Sequence, residues 1–539
     1  MIWLSRDFDL LAVLLHALLL SFEALLTGGV FYLFFIARRF PADGGDASRA
    51  PGVPSSFSQP VVHGIRLAAA GFASTQLLYI AVDSALLIYG TGVGLREVLT
   101  TNYFLAGMLA VAASVAVLML AGRHGSCLLV VSAVVVLACS VALSHSVSRL
   151  ENQLLLAGLT AAHHVGTAIW IGAMPYLLLS LRQAKAREAE WIGRRFSRAA
   201  IAGVALLAGA GIAMSYFYIG SWSALYGTAY GVMVLAKGAL LAMMLALGAG
   251  NYFLVRRLRT DSLPLLIRLR RFAEVEIGLG FTVILAAASL TSQPPAVDLV
   301  QNRLTPQEIV KRMRPELPRW KSPSYAALTP PGSMREATEK AQFVSGTTND
   351  PTDIAWSEYN HHWAGLIVLL CGGLALLAHG GVRWARHWPL AFMALAFFIV
   401  LRADSETWPL GPRSFWQSFS GPDVLEHRLF ALLLVGFAVF EWGVQTRRWH
   451  QLRAQLVFPA MCALGAALLL THNHALGNVK EELLAEMSHT PIALLGAAAG
   501  WSRWMELRLP GERPARIAAW IWPVCLIAVG LVLLNYREA

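Results

Sequence analysis

Charge is what this chain of 539 residues has least of: only 14% are Asp, Glu, Lys or Arg, against roughly 25% in soluble proteins. With 56% hydrophobic residues beside it, that shortage excludes an ordinary soluble enzyme. Cysteine is scarce as well. All five cysteines (Cys127, Cys139, Cys371, Cys462 and Cys525) lie inside apolar runs at irregular spacing, so neither a disulfide framework nor a CxxC metal site is expected. There is no GxxxxGK[ST] phosphate loop, no CPC helix and no phosphorylatable aspartate motif, which removes the signatures of an ATP-driven pump. Ten-residue stretches of alternating polarity are missing too, and a transmembrane barrel is excluded with them.

What the chain has in abundance is hydrophobic length. Apolar runs of about 20 residues recur along it, the length that roughly 30 Å of hydrocarbon requires at 1.5 Å per helical residue. The expected fold is an all-α polytopic membrane protein of about fourteen transmembrane helices. Their limits are near 10–36, 61–90, 102–121, 125–145, 152–181, 197–219, 229–254, 272–292, 361–381, 387–402, 423–445, 456–472, 488–505 and 516–535. No basic n-region precedes the first run, which is much longer than a signal-peptide core, so it is expected to remain as a span.

Six Lys and Arg lie between Arg182 and Arg198, and six more between Arg256 and Arg271. Both loops are expected in the cytoplasm, which puts the N- and C-termini outside and makes the protein a multi-pass membrane protein. The net charge of +11 then reports orientation within a lipid bilayer and not a nucleic-acid partner. The polar, proline-rich stretch 293–359 divides an N-terminal eight-helix module, 1–292, from a C-terminal six-helix module, 360–539. Its beginning, SQPPAVDL, cannot continue a helix through paired prolines.

Fifteen histidines in so apolar a chain draw the search for chemistry, because an ionisable group within a bilayer is costly and needs a partner or a task. His63, His124, His379, His387 and His450 fall near the cytoplasmic face, where solvation is the cheaper explanation. The densest group is THNHALGNVKEELLAEMSHTP, residues 471–491, between the twelfth and thirteenth spans on the outer side. It offers His472, His474, His489 and the thioether of Met487, and imidazole with thioether suits copper, the thioether favouring Cu(I). The bland alternative is a polar loop in which Ser488 caps the next helix and the histidines meet headgroups. His361 and His362, at the outer start of the ninth span, and His427, at the start of the eleventh, are further candidate ligands. Asp404 and Glu406 in the loop before His427 can attract cations, although solvation accounts for them.

In the first half the fifth helix reads AAHHVGTAIWIGAMPYLLLSLR from Ala161. His163 and His164 fall near mid-membrane, about 100° apart around the helix, so one of them faces a site while the other bonds a neighbouring helix. His16 and Lys237 are companions to them, and Met174, Met214 and Met233 with Lys237 are candidates for a transport path. Met233 and Lys237 share a helix face at i, i+4. A buried ammonium must find a carboxylate, carbonyls, water or a cofactor, or lose its proton.

Several stretches carry a family resemblance: HHVGTAIWIGAMPYL; the run RRFSRAAIAGVALLAGAGIAMSYFYIGSWSALYGTAYGVMVLAKGALL from Arg194 to Leu241; the segment from Ala288 through SLTSQPPAVDL; and, in the C-terminal half, RADSETWPLGPRSFW, VLEHRLFALL and THNHALGNVKEELLAEMSHTPIALLG. Together they resemble the copper resistance protein D family, often called CopD, over most of 153–510. The resemblance implies copper transport or homeostasis at the bacterial inner membrane, a copper ion as cargo, and a small periplasmic copper carrier as partner. It carries to this chain His163, His164, His472, His474 and His489. An alternative from another class is a haem b membrane protein, passing electrons or acting on a porphyrinogen. The helix with His163 and the later Lys237 also look distantly like the membrane protoporphyrinogen oxidase family, which points to His16, His163 and Lys237 around a haem.

Overall fold

The computed structural model describes residues 8–37, 55–123, 126–149, 151–258, 263–291, 293–300, 303–324, 351–405, 407–411, 414–420, 422–471 and 479–537. Each of the fourteen expected runs coincides with a helix: α1 Phe8–Phe31, α2 Ser55–Thr91, α3 Asn102–Leu120, α4 Cys127–Ala142, α5 Gln153–Gln183, α6 Ala186–Ile219, α7 Ala229–Arg257, α8 Leu263–Thr291, α9 Pro351–His379, α10 Leu390–Arg402, α11 Pro422–Gln445, α12 Val457–Thr471, α13 Val479–Arg508 and α14 Arg513–Leu534. The protein is an all-α, multi-pass membrane protein. In lipid every backbone N–H and C=O must be bonded within the chain, which is why the apolar runs take this form.

Eleven helices among the described residues are long and apolar enough to cross a membrane, by length and composition. Three of the fourteen lie outside that set. Helix α4 has only 16 residues, and α11 and α13 carry several charged residues along their length.

Helix starts are where the structure corrects the sequence reading. Helix α13 begins at Val479, nine residues before the expected start, because Leu483 and Leu484 are buried against Leu304 and hold the amphipathic run LLAEM in helical register. Ser488 is therefore no cap. It lies inside the helix with its hydroxyl aimed at the Leu484 carbonyl oxygen, and Met487 and His489 are helical residues rather than a returning loop. Helix α9 likewise begins at Pro351, ten residues early, with Trp356 buried.

The chain forms two compact units. One comprises Leu11–Tyr218 and Leu241–Thr291, the other Ile219–Leu240 and Ser292–Ala539, so α7 contributes to both. The first unit is built on a close crossing of α1 and α5. A Cβ on Gly172 would collide with the Ala24 carbonyl oxygen, and one on Gly28 with the Gly172 carbonyl carbon, so only glycine lets these backbones meet. One turn further on, the Tyr176 hydroxyl donates to the Leu25 carbonyl oxygen at 2.9 Å. Between Thr167 and Ala173, α5 widens into a π turn, Ala168–Gly172. Such turns insert an extra residue and recur at functional sites.

The second unit has an aromatic core in which Trp388, Phe392, Phe437, Phe458 and Trp522 pack edge to face and stacked, with centroids 4.4–6.2 Å apart.

The α1–α5 crossing yields a direct test. Gly172→Ala should destabilise the protein by about 1–3 kcal/mol through overpacking. Gly238→Ala, where an added Cβ meets nothing within 4 Å, should be neutral or slightly stabilising. Thermal unfolding in detergent measures both, and equal melting temperatures for the two variants would refute the crossing.

Candidate metal centre

A histidine that binds metal through one ring nitrogen usually donates the N–H of the other to a carbonyl or carboxylate, which fixes both tautomer and ring direction. That criterion separates the candidates. In the first unit, His164 Nδ1–H donates to Glu23 Oε1 at 2.8 Å, across the α1–α5 crossing. His163 Nδ1–H donates to the Leu207 carbonyl oxygen of α6 at 3.0 Å. The two neighbours thus address different helices, as their 100° separation requires. Met174 is buried beside the π turn and Met214 is half-buried in α6, while the His16 ring lies 6.5 Å from that of Tyr79.

In the second unit, α9, α13 and the end of the chain beyond α14 bring three rings together. His361 stacks on Tyr536 with centroids 3.7 Å apart, and His489 lies 5.9 Å from Tyr536 and 6.1 Å from His361. His361 Nδ1–H donates to the Ser357 carbonyl oxygen at 2.8 Å, the normal backbone bond of a ligand histidine. His427 Nδ1–H donates to Asp404 Oδ1 at 2.8 Å, so Asp404 orients an imidazole and is not merely solvated.

His362 is different. Its Nδ1 accepts the Arg319 backbone N–H at 2.8 Å, and its Nε2–H donates to the Tyr536 carbonyl oxygen at 3.1 Å. Both nitrogens are spent on fastening chain segments together, and Glu358 completes the fastening by accepting from Arg319 at 2.5 Å and Arg537 at 3.5 Å. Met487 packs against the Leu304, Leu483 and Leu484 cluster, two residues before His489. Met233 is buried one turn before Lys237 on α7. His472 and His474 lie outside the described residues, as do His124 and Glu406. Among the described residues no three His, Cys, Asp or Glu side chains are placed to hold one ion.

Three buried polar groups went unnoticed in the sequence. Glu23 was visible as a lone acid within an apolar run, which is itself a signal, whereas Glu276 follows Glu274 by two residues and is not marked out in that way. Glu276 of α8 accepts from Trp170 Nε1 at 2.9 Å and from Asn251 Nδ2 at 2.5 Å. The third is a buried charge network in the second unit. Arg503 donates to Glu441 and to Glu506, each at 2.8 Å, Trp522 adds a bond to Glu506, and Gln445 adds one to Glu441.

With this geometry in view, the comparisons are informative. Residues 191–290 match the family model for copper resistance protein D, CopD. Over these residues the chain is similar to that family. The matched stretch takes in most of α6, all of α7 and nearly all of α8, including Asn251 and Glu276. The resemblance seen in the sequence is borne out there. A curated relative, "Copper transport protein CutJ" of Bacillus subtilis (strain 168), is 33% identical over 136 residues, which is 24% of this chain and 24% of that protein. The match therefore spans about a quarter of the relative's length. No solved structure matches the chain significantly.

The charge network predicts its own behaviour. Arg503→Met should cost about 3–5 kcal/mol, because it leaves the fully buried Glu441 without its cation. Adding Glu441→Leu should restore most of that loss. Thermal unfolding of the single and double variants in detergent reads the difference, and a double variant no better than the single one would refute the pairing.

Proposed function

We propose that this protein transports copper across the bacterial inner membrane, inward from the periplasm, by handing the ion between protein ligand sets. The observation that carries this reading is the pair His361 and His489, contributed by α9 and α13 with centroids 6.1 Å apart. Imidazole nitrogens sit about 2 Å from a first-row ion, so two rings sharing one ion have centroids roughly 6 Å apart. Met487, two residues before His489 on the same helix, faces the Leu304, Leu483 and Leu484 cluster and is not part of this pair, while His472 and His474 stand in the stretch just before that helix. Imidazole nitrogen suits copper. The copper-named family segment and relative support the same cargo.

In this reading the outer cluster receives copper from a small periplasmic carrier. His163 and His164 supply the membrane-embedded ligand set, aimed by Leu207 and Glu23. Exchange from one set to the next means that no bare ion enters hydrocarbon. His362 is assigned to structure because its ring nitrogens are already committed. Of the two readings the sequence left open, no observation favours haem.

The test is to purify the protein in detergent and measure bound metals by mass spectrometry beside a visible absorption spectrum. Stoichiometric copper without a Soret band supports transport, and a Soret band would replace it with the haem reading. In cells, replacing His472, His474 and His489 together with alanine should abolish copper-dependent accumulation while abundance and membrane insertion persist. Unchanged accumulation would discard the outer cluster. Glu23→Ala should weaken copper binding by about 10–100-fold, the usual cost of losing a carboxylate that orients a ligand histidine, and equilibrium titration of Cu(I) against a competing chelator measures it.

A further inference from the structure

Glu276 has no role in holding copper, yet it is a carboxylate almost fully buried in the first unit, with 3% of its surface exposed. Its bonded partners are both neutral: Trp170 Nε1–H donates to Oε1, and the Asn251 amide meets Oε2. The charged groups near it on the surrounding helices, Glu274 and Arg271 of α8 and Arg182 of α5, are engaged with one another, Arg271 at 2.5 Å and Arg182 at 3.7 Å from Glu274. Burying a carboxylate among neutral donors forgoes the compensation that an adjacent cation gives.

Asn251 supplies a second and independent observation. Its Oδ1 is buried and accepts no hydrogen bond, while its amide stands only 2.5 Å from Glu276 Oε2. Half a turn of the amide exchanges its nearly isosteric oxygen and nitrogen. Oδ1 then faces Oε2, and the orphaned acceptor is satisfied if Glu276 carries the hydrogen. With the amide turned the other way, Nδ2–H donates to a deprotonated carboxylate. The pair therefore has two bonded arrangements that differ by one proton. Trp170, the other donor, belongs to the π turn of α5, so the proton state of Glu276 is bonded directly to the irregular part of that helix.

We propose that Glu276 and Asn251 form a proton-binding site, and that the proton taken up and released there is the ion coupled to transport. The second clause rests on the copper-transport reading; the first does not. Proton uptake converts the carboxylate to a neutral acid whose O–H donates to Asn251 Oδ1, and release returns the carboxylate with Asn251 Nδ2 as donor. No oxidant or reductant is involved. A chain without a nucleotide-binding motif has to draw on an ion gradient to move cargo uphill, and this site supplies the residue for one.

The experiment has two readouts on the purified protein. Infrared difference spectra between high and low pH should show a carboxylic acid carbonyl band that is lost in Glu276→Gln, retained in Glu276→Asp and shifted in Asn251→Leu. In vesicles holding a trapped pH dye and supplied with Cu(I), copper movement by the wild type should be accompanied by an internal pH change. That change should fall in Glu276→Gln to the level of protein-free vesicles and return in Glu276→Asp, while copper still runs down its own gradient in all three. An acid band indifferent to Glu276→Gln overturns the proton site. Wild-type copper movement without a pH change, or an unaltered pH change in Glu276→Gln, overturns the coupling. If the wild type moves no copper, the transport reading and the coupling fall together, and the infrared band still decides the site.

Discussion

A polar group surrounded by hydrocarbon has no water to fall back on, and Glu23, His164, Glu276 and Arg503 are each held by another helix of the chain. This single requirement organises the functional region of the first unit. Glu23 can sit in α1 because His164 meets it from α5, and the two can meet because glycines at 28 and 172 let the backbones approach more closely than any Cβ permits. The sequence Gly-Ala-Met-Pro-Tyr after the π turn then locks the crossing, with Tyr176 bonded back to α1. Close packing, the orienting of an imidazole and the placing of a candidate ligand are three consequences of one contact.

The same requirement explains why buried charges in this molecule fall into two kinds. Arg503 is enclosed by two glutamates of opposite charge, and Trp522 and Gln445 add bonds to those glutamates. The network joins α11, α13 and α14 by setting charge against charge. Glu276 has only neutral donors and stands beside an amide oxygen that accepts no hydrogen bond. A buried ion pair holds both partners charged, whereas a carboxylate among neutral donors with two bonded arrangements accommodates a change of proton. Burial is similar in the two places, so the charge of the partners, and not depth, separates structure from chemistry.

Much of the architecture was legible because lipid is a severe selector: a run of twenty apolar residues has few alternatives to a helix, and all fourteen runs are helical. Helix starts were less legible, since α9 and α13 begin with polar residues whose helicity depends on Trp356, Leu483 and Leu484 finding protein to pack against. Hydropathy registers lipid, and it is blind to a helix end that buries itself in its own fold. The histidines were legible as a set but not one by one. His361 and His362 are adjacent and identical in type, yet His362 is committed by a backbone N–H 43 residues before it and a carbonyl 174 residues after it. Tyr536, which gathers His361 and His489 around its ring, gave no signal in a C-terminal tail.

What makes an imidazole available to a metal is therefore decided by its less visible nitrogen. His163, His164, His361 and His427 donate from Nδ1 to a carbonyl or a carboxylate. That arrangement keeps the ring from rotating, which reduces the entropy lost when an ion arrives. A carboxylate partner also raises ligand basicity more than a carbonyl does, because it stabilises positive charge on the ring. His164 and His427 hold carboxylates, and His163 and His361 hold carbonyls. Ion exchange between such sites needs neighbours of similar, not maximal, strength, since a site that binds too tightly becomes a trap. One strongly and one weakly supported imidazole at adjacent positions of α5 is a graded pair of that sort, offered to an ion from two directions around a single helix.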